Sequence, residues 1–145
     1  MPKLNLSIIT PERQVLQQEV DFVAMPAYEG EIGVLPGHTA CMLQLKTGIL
    51  RYTSGKDKNA FAIMGGFAEI LNNDVSVFAE DAALAEEIDL EDARQQVQKT
   101  KHAISAHHKD LDLAQADQTL KWETARIKLA MQKNKIPAQK QKPMQ

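Results

Sequence analysis

Every glycine in the chain lies at or before Gly66, and neither glycine nor proline occurs between residues 67 and 136. These two residues are the strongest local breakers of regular structure. Their distribution divides the chain into a turn-rich first half suited to short strands and a second half free to run as helix. The hydrophobic pattern of the first half agrees. "LNLSIIT" puts Leu4, Leu6 and Ile8 on one face, and "VDFVAM" puts Val20, Phe22 and Ala24 together, the period of two that a half-buried strand requires. "NAFAIM", "FAEIL" and "VSVFA" continue it, with Asn72-Asn73-Asp74 between the last two as a hairpin turn, because Asn and Asp tolerate left-handed backbone. Gly65-Gly66 marks a bulge or a close approach of two backbones. Several short strands broken by frequent turns predict an antiparallel sandwich or barrel.

From residue 88 the period becomes helical. Leu90, Ala93, Val97, Thr100 and Ile104 define a first helix over 89 to about 106 with Asp89 as N-cap. "HHKDLD" interrupts the pattern, and a second helix starts behind Asp110 or Asp112 and ends near Lys135, before Pro137. Its stripe reads Leu113, Ala116, Leu120, Thr124, Ile127 and Met131. Two helices joined by a short turn form an antiparallel hairpin. The predicted fold class is therefore α+β: a β-sandwich domain over 1–86, a helical hairpin over 87–136 and a polar tail over 137–145. Many stripe positions are small, so the hairpin needs a further surface to lie on.

Charge is unevenly spread. The formal net charge of −2 argues against a nucleic-acid binder. Residues 118 to 145, by contrast, carry seven Lys and Arg against Glu123 alone, which makes the last helix and tail a cationic rod. That rod is either a solvated face or a segment that docks on an acidic surface. No apolar run approaches the roughly 20 residues needed to span a bilayer, so membrane association is expected only through a partner. The single cysteine, Cys41, follows His38 in an apolar run and reads as a small core residue. Glu29, Glu31 and His38 lack the spacing of a metal site, His107-His108 sits in the interhelical turn, and there is no Gly-rich loop followed by Lys-Ser/Thr. No catalytic residue and no metal site is expected.

One block remains unexplained. "PAYEGEIGVLPGH" contains Gly30, Gly33 and Gly37 with Glu29, Glu31 and His38 among them, and "MGGFAEILNNDVSVFAEDA" and the helical hairpin follow it. In that order these resemble the epsilon subunit of the proton-translocating (F-type) ATP synthase, from residue 3 to about 136. Glu29 to His38 matches the family's most recognisable block, and Gly66, Phe67, Glu69, Asn73, Val75, Val77, Ala79 and Glu80 match a second. The resemblance implies a non-catalytic rotor subunit at the foot of the central stalk, coupling proton flow through the c-ring to ATP synthesis via gamma. It places the protein peripherally on the cytoplasmic face of the bacterial plasma membrane. It implies that Glu29, Glu31 and His38, on one loop, dock on the c-ring while another face packs on the gamma subunit. The hairpin is implied to extend and block ATP hydrolysis, with Arg126, Lys128 and Lys133 meeting the beta subunit of the alpha/beta head. The family's ATP-sensing motif, Ile/Leu-Asp-x-x-Arg-Ala, is here Leu90-Glu91-Asp92-Ala93-Arg94-Gln95, so a regulatory ATP site of Glu91, Arg94 and Arg126 is expected to bind weakly if at all. Two other readings stay open on the residues alone: a free-standing sandwich that dimerises through its hairpin, and a small hydrolase using Glu31 and His38.

Overall fold

The computed structural model describes residues 2–107 and 111–135, with side chains through residue 132. Ten strands precede two helices: β1 (Leu4–Ile9), β2 (Gln14–Val20), β3 (Phe22–Ala27), β4 (Gly30–Val34), β5 (Cys41–Gln44), β6 (Gly48–Ser54), β7 (Asp57–Met64), β8 (Phe67–Leu71), β9 (Asp74–Phe78), β10 (Asp81–Leu84), α1 (Leu90–Ser105) and α2 (Leu113–Lys135). A short 3-10 turn, Ala85–Glu87, joins the last strand to α1. The strands form two five-stranded sheets, β2-β1-β9-β8-β5 (the first sheet) and β10-β7-β6-β3-β4 (the second sheet). All neighbours are antiparallel except β1 and β9, which pair in parallel from Asn5↔Asp74 to Ile9↔Phe78.

The core lies between the sheets. Leu4, Leu6 and Ile8 of β1, Val75 and Val77 of β9 and Ala68 and Ile70 of β8 face Val23 and Met25 of β3, Leu50 and Tyr52 of β6 and Phe61 and Ile63 of β7. The period-two reading is correct for β1 and fails at one place. Asp21 bends the chain between β2 and β3, so Val23 and Met25 enter the core while Phe22 and Ala24 lie on the opposite face from them. Asp21 is tied down there: Lys3 donates to its carboxylate, and so does the Gly55 amide at 2.6 Å. The Lys3 hydrogen bond, with the Gly55 amide second, holds the Asp21 carboxyl below its ordinary value.

Turn chemistry follows the sequence. Asn72 and Asn73 take positive φ of 52° and 68° in the β8–β9 hairpin. At Gly66 a Cβ would fall 1.9 Å from the Phe78 carbonyl oxygen, so the close approach of backbones is real. Cys41 is half-buried against the core.

Asp89 caps α1 by accepting from the Asp92 amide at 3.0 Å, and Asp112 caps α2 by accepting from the Gln115 amide at 3.2 Å. His107, at φ 51°, follows the end of α1. His108 to Asp110, and the predicted tail 137–145, lie outside the described residues. The stripe expected on α2 needs correction. Leu113, Thr124 and Met131 are exposed, and the helix has two buried faces rather than one. Trp122, Ala125 and Leu129 pack on Ala62 of β7, with Ile49, Ala60, Met64, Ala83 and Ile88 around them. Ala116, Leu120, Glu123, Ile127 and Ala130, at spacings of four and three, turn to α1, which runs along α2. A single-stripe reading could not see a helix wedged between a sheet and a second helix.

Candidate functional site

The block Glu29–His38 is not one loop. Residues 30 to 34 form β4, the edge strand of the second sheet, paired with β3 from Val23↔Val34 to Ala27↔Gly30. Glu29 sits in the tight turn before it with Tyr28, and His38 lies within the loop after it, which runs on to β5 at Cys41. Five residues at about 3.4 Å each separate the two ends by roughly 17 Å. Glycines and a proline signalled bending correctly, but the bends lie at the two ends of a strand and leave its middle straight. Glu31 lies on the outward face of β4, where Arg51 of β6 donates to it at 2.6 Å. The pair straddles β3, since Glu31 is opposite Pro26 and Arg51 opposite Ala24, and Ala24 is only 1% exposed. Glu29, Glu31 and His38 therefore do not converge. Glu29 and Glu31 lie at one end of the sheet edge, and His38 lies beyond the other.

The loop at the far end of β4 is held in place. The Gly37 amide donates to Asn73 Oδ1 at 2.7 Å, which ties it to the β8–β9 turn of the other sheet, and a hydrogen bond of 2.8 Å joins His38 Nδ1 and the Thr39 carbonyl. The Phe22 ring packs against Gly33, whose Cβ position would be 3.0 Å from the ring. Phe22, Gly33, Leu35, Pro36, Gly37 and His38 surround a shallow cleft. Leu35 stands 60% exposed at its rim, and Tyr28 61% exposed at the opposite turn.

For the second expected surface, the face packing on gamma, the sequence had singled out no residues. On the outer face of the first sheet, Phe67 and Phe78 are cross-strand partners whose rings stack with centroids 5.0 Å apart. Ile9 extends that row on β1, while Met42 and Leu71 continue the same face, Met42 at 64% exposure. Exposed aromatic and aliphatic side chains gathered on one sheet face mark an interaction surface. The signal was present in "FAEIL" and "VSVF", where both parities of the strand carry apolar residues and only one can face the core.

The candidate residues of the hairpin do not line one pocket. Glu91 and Arg94 line a shallow depression on the exposed side of α1 with Gln95, Gln98 and Lys99. Arg126 is not among its walls. It donates to Glu123 Oε2 at 2.6 Å, with side-chain exposures of 17% for Arg126 and 9% for Glu123, and its guanidinium carbon lies 6.0 Å from the centre of the Trp122 ring. Lys128 is exposed to solvent on α2, and the side chain of Lys133 lies outside the described ones. Lys121, also on α2, pairs with Asp117 at 2.9 Å, which raises its pKa. Among the described residues no three His, Cys, Asp or Glu side chains gather as a metal site, and no helix is long and apolar enough to cross a membrane.

Comparison with known proteins bears on these surfaces. A family profile described as the ATP synthase delta/epsilon chain, beta-sandwich domain, matches residues 3–85. The ATP synthase epsilon chain of Elusimicrobium minutum is 45% identical over 107 residues, 73% of this chain and 79% of that one. The epsilon chain of Syntrophobacter fumaroxidans is 39% identical over 128 residues, 88% of this chain and 96% of its own. Among solved structures, a chain of the Euglena gracilis mitochondrial ATP synthase, in a structure of its OSCP/F1/c-ring, superposes with a TM-score of 0.75 at 27% identity, covering 90% of this chain and 83% of that one.

Proposed function

The chain belongs to the ATP synthase delta/epsilon family, and from that membership we propose that it is a non-catalytic rotor subunit. In this reading it couples proton flow through a c-ring to ATP synthesis by way of gamma, at the cytoplasmic face of a bacterial plasma membrane. Its hairpin restrains ATP hydrolysis. The observation that carries the reading is the exposed face of Phe67, Phe78, Met42 and Leu71, on a sandwich whose other face is covered in part by α2. A stalk subunit must hold its partner against torque, and a sheet face that offers exposed aromatic and aliphatic side chains around Glu69 supplies both apolar contact and a polar group to fix register. We assign this face to gamma.

The edge of β4 is assigned to the c-ring. Its ends are pinned by the tight turn at Glu29 and by the Gly37–Asn73 hydrogen bond, so little backbone freedom is lost on contact. Glu31 pairs with Arg51, so the ring is met by Glu29, by His38 and by an exposed ion pair instead of three separate side chains. The hairpin lies against the second sheet in the compact state. Release brings Arg126, Lys128 and Lys133 to the beta subunit of the alpha/beta head. The absence of Arg126 from the depression that Glu91 and Arg94 line, and its engagement by Glu123, support at most weak ATP binding.

Replacing Phe67 and Phe78 by serine together tests the gamma assignment. Co-purification with gamma is expected to be lost while the melting temperature of the isolated chain holds. Retained co-purification overturns the assignment. Changing Arg126, Lys128 and Lys133 to alanine is expected to raise ATP hydrolysis by the assembled complex, with less salt dependence than the parent. Equal hydrolysis and equal salt response would remove the cationic contact from the mechanism.

A further inference from the structure

Glu123 occupies a position its neighbours would give to an apolar residue. It lies in the stripe Ala116, Leu120, Ile127 and Ala130 that turns to α1, and it is 7% exposed. A carboxylate placed there is tolerated only when paired. It accepts a hydrogen bond from Arg126, three residues on along the same helix, and Arg126 in turn lies beside the Trp122 ring that packs on Ala62. Packing alone does not account for an acid at this position, because a buried pair replaced by apolar residues of similar size is commonly neutral or stabilising. The pair has another property. Both members belong to α2, so it travels with the helix when the helix leaves the sandwich. A carboxylate from outside must compete with Glu123 for the guanidinium in either state.

We propose that Glu123 is an internal competitor that withholds Arg126 from an acidic protein surface and so sets how readily the released helix engages one. The proposal rests on the reading that α2 leaves the sandwich to meet such a surface. It makes opposite demands on two variants that a purely structural pair would treat alike. Both Glu123→Gln and Arg126→Gln leave one buried charge without its counter-charge, so both loosen the docked hairpin. Only Glu123→Gln leaves the cation free. Engagement of an acidic surface is therefore expected to strengthen in the first and weaken in the second.

The experiment uses the full chain and poly-L-glutamate as the acidic probe, with binding followed by sedimentation at low and physiological salt. Hydrogen exchange across α1 and α2 is measured in parallel. Glu123→Gln is expected to bind the probe about 5-fold or more tightly than the parent, and Arg126→Gln more weakly, while exchange quickens in both. Glu123→Asp, one methylene shorter and still charged, guards against misfolding of the first variant and is expected to fall between it and the parent. Binding that shifts in the same direction in Glu123→Gln and Arg126→Gln, or parental binding by Glu123→Gln, overturns the proposal. If probe binding changes as expected but ATP hydrolysis by the assembled complex does not, the competitor stands and the braking role of the hairpin falls.

Discussion

Truncating Trp122 to alanine is expected to release the hairpin while sparing the sandwich. The ring is 8% exposed and is the largest side chain between α2 and the second sheet, where its sheet-side neighbours include Ala60, Ala62 and Ala83. An aromatic side chain of this kind buries about 150 to 250 Å², or about 4 to 6 kcal/mol at roughly 25 cal/mol per Å². That figure is an upper bound for undocking. Part of the ring stays against its own helix when the helix departs, and alanine keeps some of the contact. A loss of about 2 to 4 kcal/mol is the reasonable range, which multiplies the undocked fraction by about 30-fold to several hundred-fold. Native-state hydrogen exchange reads it directly. Amides of α1 and α2 are expected to lose protection by that factor, because a hairpin of this length is marginal alone, while amides of β1 and β9 keep theirs. Equal loss in β1 and β9 would show that hairpin and sandwich open as one unit. Unchanged protection in the helices would show that the Trp122 contact does not hold them, and either result refutes the reasoning.

Gly66→Ala puts a methyl group 1.9 Å from the Phe78 carbonyl oxygen at a φ of 101°, so a stability loss of about 3 kcal/mol or more is expected in thermal melts. Gly55→Ala, at φ 64° with open space around it, should lose only about 1 kcal/mol. Asn73→Ala removes the acceptor for the Gly37 amide and a residue suited to φ 68°. A loss of about 1 to 2 kcal/mol and faster exchange at Gly37 are expected, and an unchanged Gly37 amide would show that the loop stands without the tie. Asp21 has its folded pKa lowered, so its contribution is complete above the unfolded carboxylate value of about 3.9 and disappears as pH falls through the folded value. The melting-temperature gap between the parent and Asp21→Asn should accordingly be full at neutral pH and shrink in acid; a constant gap would remove the Lys3 and Gly55 contacts as its cause.

Much of the fold was legible because local rules and tertiary structure agree. Glycine placement, the Asn72-Asn73 turn and the caps at Asp89 and Asp112 are each set within a few residues. Two things were not. The parity of β3 turns on Asp21, and its bend depends on Lys3 and Gly55, distant in sequence. The sheet-facing side of α2 depends on a smooth run of alanines on β7 and β10, which periodicity within the helix does not reveal. The candidate site divides in the same way. Glu29 to His38 could be picked out as a block, yet its partition into turn, strand and tethered loop comes from Arg51 and Asn73, neither of them within it. The Phe67–Phe78 face was readable in principle as a strand apolar at both parities, but strand alternation usually assigns the spare residues to solvent without further thought.

The parallel pairing of β1 with β9 fixes the order in which this molecule can be made. β1 is translated before every other strand of the sandwich, and its central neighbour is not complete until Phe78. Until then β1 has only β2 beside it, and a two-stranded hairpin is marginal on its own. The β6–β7 and β8–β9 hairpins form locally, whereas joining β1 to β9 closes a loop through most of the nascent domain, the slow kind of step in chains rich in distant contacts. α1 and α2 emerge after that closure is possible, since all ten strands precede them. Elongation therefore delivers the hairpin after the ten strands, to a sheet whose outer alanines are already in register, and a stall before residue 74 would leave one edge of β1 without its hydrogen-bonding partner.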